Sequence, residues 1–323
     1  MTGSSSVQAV IGVPLYGTGE HSREALESLL AQTFEDLALV LVDDGGGERE
    51  QLADLLADPR VHYAHNERRL GLAVNWRRTF EVGRRLYPEA PYFAWASDHD
   101  VWHPHWLERL VAELEREPEA VLAYPRFASI HGQRARPKGR RFESRGLREP
   151  ARRLAVSYPQ VEPGYMVYGL FRAAALERCG IFPAVLVPDR LLLAELSVLG
   201  SFVQAPERLW HRRRVGRFSL ARQRRSFFPA GAPARAALPW WLVHIGAFAW
   251  TVGRLPGVGR RQALELTLVH ARACVAWTFD RWRRRTNRAR RRAPARLAGA
   301  TGRALGAVIQ RMAGASLLRP RRR

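Results

Sequence analysis

The chain has 323 residues, 46% of them hydrophobic, which suits a globular protein with one or two sizeable cores. Its two cysteines, Cys179 and Cys274, are far apart, which excludes a disulfide framework and fits a reducing compartment. The formal net charge of +22 is unevenly spread: residues 1–120 carry 11 Arg against 21 Asp and Glu, whereas the last 43 residues carry 15 Arg and no acid. So acidic an N-terminal part argues against a nucleic-acid-binding protein, for which charge alone speaks.

Residues 1–6 are a short polar stretch without the basic start or apolar core of a signal peptide, so a cytoplasmic location is expected. Residues 7–13 read as a first strand, followed by Pro14 and Gly17, and residues 23–33 as a helix with Ala25, Leu26, Leu29 and Leu30 on one face. Residues 37–42 form a second apolar run that ends in Asp43 and Asp44, and residues 48–57 look helical. A third strand at 61–64, a helix at 70–86, a fourth strand at 92–96, a helix from Pro104 to about residue 117 and a fifth strand at 120–124 follow. Residues 131–153 read as a basic loop, 229–239 as a Pro- and Ala-rich linker, and 238–253 and 261–282 as helices. Neither of these two stretches is a clean run of about 20 apolar residues, the length needed to span a bilayer.

Strands alternating with helices argue for parallel βαβ units and an open sheet covered on both faces. In such sheets ligands bind outside the carboxyl ends of the strands. Asp43, Asp44, Asp98 and Asp100 all fall at those ends. The run from Tyr92 to Asp100 is the most informative, because an apolar strand breaks directly into two carboxylates one residue apart. A divalent ion with a diphosphate would offset the cost of burying them. Gly17 and Gly19 do not make a dinucleotide fingerprint, and His99, His103 and His105 lack zinc-site spacing.

Taken in order, these residues resemble the family 2 glycosyltransferases, whose fold is GT-A. Val10-Ile11-Gly12-Val13-Pro14 is similar to the family's opening strand and its nucleotide-contacting turn, and Ser28 to Phe34 to the helix end before the second strand. Val40-Leu41-Val42-Asp43-Asp44-Gly45 resembles the turn that contacts the base. Asn66, Gly71 and Asn75 resemble its Asn…Gly-x-x-x-Asn segment, and Asp98-His99-Asp100 stands at the metal-binding Asp-x-Asp position. Tyr168 to Arg172 with Gly180 to Phe182 resembles the acceptor-side segment. Asp189 stands at the catalytic acid's position, with Pro188 where the family often has Glu, and Trp210-His211-Arg212-Arg213 resembles the closing patch. The likeness covers roughly residues 7–215.

The resemblance implies a metal-dependent inverting transferase that moves a sugar from a nucleotide-sugar donor to a saccharide or lipid-linked acceptor hydroxyl. Mg²⁺ or Mn²⁺ would be held by Asp98 and Asp100, with Asp100 the direct ligand and Asp98 also touching the ribose. Pro14, Asp43, Asp44, Asn66, Gly71, Asn75, His211 and Arg212 would complete the nucleotide site. Asp43 and Asp44 also read as turn formers before Gly45, and His211 with Arg212 as a solvated strand end. Asp189 would be the general base, and it equally reads as the N-cap of a helix at 190–199. The alternative function is a GT-A scaffold that binds nucleotide without transfer.

The expected organisation is a GT-A domain at 1–217, with its nucleotide half at about 7–125 and its acceptor half at 126–217. A linker at 218–237, a Trp-rich helical extension at 238–282 and an Arg-rich tail at 283–323 follow. Trp240, Trp241 and Trp250 beside many Arg suit peripheral contact with an anionic membrane on its inner face, or helices that pack on the catalytic domain.

Overall fold

The computed structural model describes residues 7–17, 19–47, 49–131, 134–138, 141–160, 165–213, 219–231, 233 and 237–292. The chain divides into two units, residues 1–274 and 275–323. The expected Arg-rich tail lies outside the described residues from 293 onward.

Strands β1 (Ala9–Leu15) and β2 (Leu37–Asp43) are buried at every residue. A strand covered on both faces must be apolar throughout, which is why neither shows alternation. Helix α1 (Ser22–Leu30) between them buries Ala25, Leu26 and Leu29 as one stripe. Residues 48–57 do not form the expected helix but two separate 3₁₀ turns, Glu50–Leu52 and Leu55–Ala57. Pro59 forces Asp58 into an extended conformation (φ −66°, ψ 127°), so the ladder has no room to propagate. Strand β3 (Val61–His65), helix α2 (Leu72–Leu86) and strand β4 (Tyr92–Trp95) complete a parallel half-sheet in the order β3-β2-β1-β4. Helix α2 crosses close over β1 because Gly12 has no side chain; a Cβ there would stand 2.6 Å from Thr79 Cγ2 and 2.7 Å from Phe93 Cζ.

Beyond β4 the sheet becomes mixed. Its elements are β5 (Val101–Trp102), α3 (Trp106–Arg116), β6 (Ala120–His131), β7 (Arg134–Lys138), α4 (Pro150–Ser157), β8 (Leu170–Arg172), α5 (Ala173–Leu176), α6 (Pro188–Leu199) and β9 (Ser201–Arg213). The order continues β8-β6-β9-β5, with β7 on β6. Strand β8 runs antiparallel to both β4 and β6, β5 antiparallel to β9, and β6 parallel to β9. Two apolar clusters pack on the sheet: one is centred on Ile11, Leu39, Trp102, Trp106 and Trp210, the other on Val10, Phe93, Trp95, Phe171 and Leu193.

Part of the expected basic loop at 131–153 is ordered structure: it holds β7 and the start of α4. The Glu149 carboxylate caps α4, accepting from Ala151 N at 2.8 Å and Arg152 N at 2.5 Å, with Pro150 in the first turn. Part of the expected linker at 218–237 is helix α7 (Leu220–Phe227), capped by the Ser219 hydroxyl, which accepts from Arg222 N at 3.1 Å. Helix α8 (Trp240–Val252) follows, then α9 (Arg260–Arg292). Helix α8 packs on α6 and belongs to the first unit; Phe248 is fully buried and stacks on His270 with ring centroids 4.2 Å apart. Among the described residues no helix is long and apolar enough to cross a membrane.

Between α6 and α8 lies Glu195, buried, accepting from Gly180 N at 2.8 Å. Burial raises its carboxyl from 4.5 to about 7, against the opposing pull of the nearby Thr251 hydroxyl and of Gly180 N. The unfolded chain therefore releases this proton first. Stability falls as pH rises from about 4.5 and levels off above about 7. Glu195→Gln is expected to melt roughly 5 °C above the parent at pH 8 and level with it at pH 4. Calorimetric melting across that range checks it, and equal melting at both pH values would show the carboxyl to be unperturbed.

Candidate functional site

The carboxyl end of β2 carries two aspartates that both turn inward. Asp43 is fully buried: Oδ1 accepts from Gly45 N at 3.0 Å and Gly46 N at 2.7 Å, and Oδ2 from Gly47 N at 3.1 Å and the Tyr63 hydroxyl at 2.7 Å. Asp44, 2% exposed, accepts from Asn66 Nδ2 at 3.0 Å and Leu70 N at 2.7 Å on Oδ1, and from Gly71 N at 2.8 Å on Oδ2. Asn66 Nδ2 also donates to Asn75 Oδ1 at 2.9 Å, and Asn75 Nδ2 donates to Val42 O at 2.9 Å and Leu15 O at 3.3 Å. The ends of β1 and β2 and the start of α2 are thereby tied into one buried network. Pro14 sits inside it, paired with Val42 across β1 and β2.

Gly71 leads into α2 with φ 90° and ψ 157°. A Cβ there would lie 2.4 Å from Phe227 O, so no side chain fits between this turn and the end of α7.

The carboxyl end of β4 carries Asp98 and Asp100. Asp98 is half-buried, its Oδ1 2.7 Å from His99 Nδ1. Burial alone would lower His99, but the bond to Asp98 and the charges of Asp100 and Asp98 outweigh it and raise the imidazole above its usual range. Asp100, 1% exposed, accepts from the Ser97 hydroxyl at 2.6 Å and Trp210 Nε1 at 2.9 Å on Oδ2, and from Arg213 N at 2.7 Å on Oδ1. The Arg213 guanidinium donates to His99 O at 3.0 Å and Glu24 Oε2 at 2.5 Å. The β5–β9 register sets Val101 opposite His211, so the closing patch lies against the Asp-x-Asp turn. Burial, and then the charge of His103, lowers His211 below its usual range.

Asp189 and Arg212 line one cavity of about 210 Å³ together with Trp76, Tyr168, Phe182 and Gln223. Pro14, Asp43, Asp44, Asn66, Asn75, Asp98, Asp100 and His211 do not line it. The Arg212 guanidinium stands over the Tyr165 ring at 5.1 Å. Tyr168 is the common neighbour: burial raises its hydroxyl, the charges of Asp100, Asp98 and Asp189 add to that, and Arg212 opposes it.

Asp189 is not a helix cap. Pro188 opens α6, Asp189 lies in its first turn, and the capping position is Val187 in a left-handed conformation (φ 49°, ψ 49°). Phe182 also has positive φ, 41°. A β-branched residue at positive φ is strained and persists only when its surroundings hold it. Two bonds do so here: Val187 N donates to Gln223 Oε1 at 3.0 Å, and His244 Nε2 donates to Leu186 O at 2.7 Å. Sequence reasoning missed Gln223 and His244 as supports of this loop; the Ser219 cap ahead of Leu220 was the signal for the helix that carries Gln223.

Residues 10–180, more than half of the chain, match the family model described as glycosyl transferase family 2. An uncharacterized glycosyltransferase of Rickettsia felis is 33% identical over 108 residues, which cover 32% of this chain and 17% of that protein. Glycosyltransferase GlyG of Streptococcus pneumoniae is 26% identical over 113 residues, 34% of this chain and 36% of that one. The matched stretch thus spans well under half the length of these curated relatives. Among solved structures, S. aureus TarS shares the fold with a TM-score of 0.51 at 15% identity, covering 82% of this chain and 52% of TarS. With a family match over more than half its length and this mixed open sheet, the chain belongs to glycosyl transferase family 2 and has the GT-A fold.

Proposed function

We propose that the chain transfers a sugar from a nucleotide-sugar donor to a hydroxyl of a saccharide or lipid-linked acceptor, with inversion and with Mg²⁺ or Mn²⁺. The observation that carries this reading is the cavity that Asp189 and Arg212 line together with Tyr168, whose hydroxyl also feels the charges of Asp98 and Asp100. The donor set suits a hard divalent ion. Asp98 Oδ2 has no hydrogen bond among the described residues, Asp100 Oδ1 accepts a single one, and burial keeps the His211 imidazole neutral. Asp98 and Asp100 would hold the ion, beside His211, and a bound ion would supply charge neutralisation for the leaving diphosphate.

The chain's own residues account for the rest. The planar fork of Arg212, steadied on Tyr165, binds phosphate oxygens. Asp189 takes the acceptor's proton, and a strained, clamped loop fixes where that carboxylate stands. Asp43, Asp44, Asn66, Gly71 and Asn75 serve the nucleotide side by holding the turn at 45–47 and the start of α2. The exposed Leu242 and Trp250 of α8, with the Arg254 guanidinium 3.0 Å over the Trp250 ring, support a peripheral contact with an anionic membrane at the cytoplasmic face, which vesicle flotation would test. The expected domain limits are part of this proposal; α7, in the expected linker, and α8, in the expected helical extension, support the acceptor-side loop through Gln223 and His244.

Thermal melting with a panel of nucleoside diphosphates, with and without Mn²⁺, tests the reading. One diphosphate at about 100 times its Kd adds about 2.7 kcal/mol, roughly 5–10 °C for a domain of this size, and only with metal. In Asp98→Asn the metal-dependent part is lost. No shift with any diphosphate would overturn donor binding.

A further inference from the structure

We propose that His244, His270 and Cys274 form a second, buried metal site that takes one zinc-class divalent ion, apart from the sugar-transfer cleft. One ligand atom of each residue lies within 4.8 Å of the others, and all three side chains are buried. His270 and Cys274 are four residues apart on α9 and so share one helix face. His244 comes from α8.

The geometry matches what a tetrahedral ion asks for. His270 Nε2 and Cys274 Sγ are 3.4 Å apart; metal bonds of about 2.0 Å to nitrogen and 2.3 Å to sulfur at a tetrahedral angle put these atoms roughly 3.5 Å apart. His244 donates from Nε2 to Leu186 O at 2.7 Å, which leaves Nδ1 as the lone-pair nitrogen, and that atom has no hydrogen-bond partner among the described residues. A backbone carbonyl holding the far nitrogen is the usual outer support of a ligating histidine. His270 Nδ1 is likewise buried without a partner among the described residues. An ion would satisfy the orphaned His244 Nδ1, whereas His270 Nδ1, on the far side of the ring from Cys274, gains no partner from it. The Tyr158 hydroxyl lies 3.2 Å from Cys274 Sγ, where it would donate to the thiolate.

Burial favours the neutral form of both imidazoles, the form that ligates, and equally favours the neutral thiol of Cys274, so uptake of the ion must break the S–H bond, form a metal–sulfur bond and release one proton to solvent. Two imidazoles and a thiolate select a zinc-class ion, whereas the oxygen donors of the cleft select Mg²⁺ or Mn²⁺. The ion would fasten α8 to α9 and, through His244 and Leu186, steady the strained loop before Asp189.

The proposal stands independently of the sugar-transfer reading. Elemental analysis of the purified full chain after dialysis against a weak chelator is expected to find one zinc per chain. Replacement by Co²⁺ is expected to give a thiolate-to-cobalt charge-transfer band in the near-ultraviolet. Oxygen ligands at Asp98 and Asp100 cannot produce that band, and Asp98→Asn is expected to keep it. Cys274→Ser is expected to lose it. Should that variant not fold, Cys179→Ser decides the assignment, because these are the chain's only two cysteines: a retained band assigns Cys274 and a lost band overturns the site. A parent chain with neither retained zinc nor a cobalt–sulfur band overturns it as well, and the cluster is then a dry hydrogen-bonded one.

Discussion

Replacing Asp189 with Asn is expected to lower turnover by about 10²–10⁴-fold while the donor's KM stays within a few-fold. The amide keeps the size and first-turn position of the carboxylate on α6 but cannot accept a proton. An attacking hydroxyl must lose its proton as the sugar–diphosphate bond breaks and the new glycosidic bond forms, and Asp189 is the carboxylate that lines the cavity. Arg212 lines the same cavity and is the residue proposed to bind the leaving side, so diphosphate affinity is not expected to change. The cost to stability is small, on the order of 0.3–1 kcal/mol for a charge at a helix N-terminus. Steady-state transfer with the donor identified by melting checks the rate, and diphosphate titration of the variant checks binding. Turnover within a few-fold of the parent would remove Asp189 from the chemistry. An equal loss of turnover and diphosphate binding would mean that the loop, not the base, had failed.

The parts of this fold that could be read in the sequence are those whose physics is local. Strands β1, β2 and β4 are covered on both faces, so they spell continuous apolar runs, and the carboxylates that end β2 and β4 stand out against them. Strand β6 was legible only as far as Tyr124. Past that point Arg126, Ser129 and His131 break the apolar pattern, and the strand continues because β9 on one side and β7 on the other supply its ladder. Such pairing has no local signature. The turn of the aspartates inward was equally hidden. A sequence shows a carboxylate at a strand end but not which donors reach it: Asp100 is held by Trp210, 110 residues away, and Asp44 by backbone 26 and 27 residues on. Val187 carries no Gly or Asn cue for its left-handed backbone, because the constraint comes from Gln223 and the neighbouring carbonyl held by His244.

Asp44→Ala is expected to destabilise the chain by about 3–5 kcal/mol, since each buried donor left unsatisfied costs about 1–3 kcal/mol, and so to lower its melting temperature by roughly 10 °C. Two backbone donors, the part-buried Leu70 N and the buried Gly71 N, and one N–H of Asn66 Nδ2 lose their acceptor, and alanine leaves them facing an apolar void. The loss spreads because Asn66 also holds Asn75, and Asn75 holds the ends of β1 and β2 through Leu15 O and Val42 O. Gly71 has little room to shift to another partner, with Phe227 O where a Cβ would stand and its backbone at φ 90°. Asp44→Asn is expected to recover only part of the loss, because its amide N–H₂ would face backbone N–H donors. A residue that merely touched a base would behave otherwise: its removal would weaken nucleotide binding and leave the melting temperature within about 2 °C. Urea denaturation of both variants beside diphosphate titration separates the two. A large stability loss, with binding weakened only as far as the loop is loosened, assigns Asp44 to building the nucleotide side; full stability with lost binding assigns it to the base.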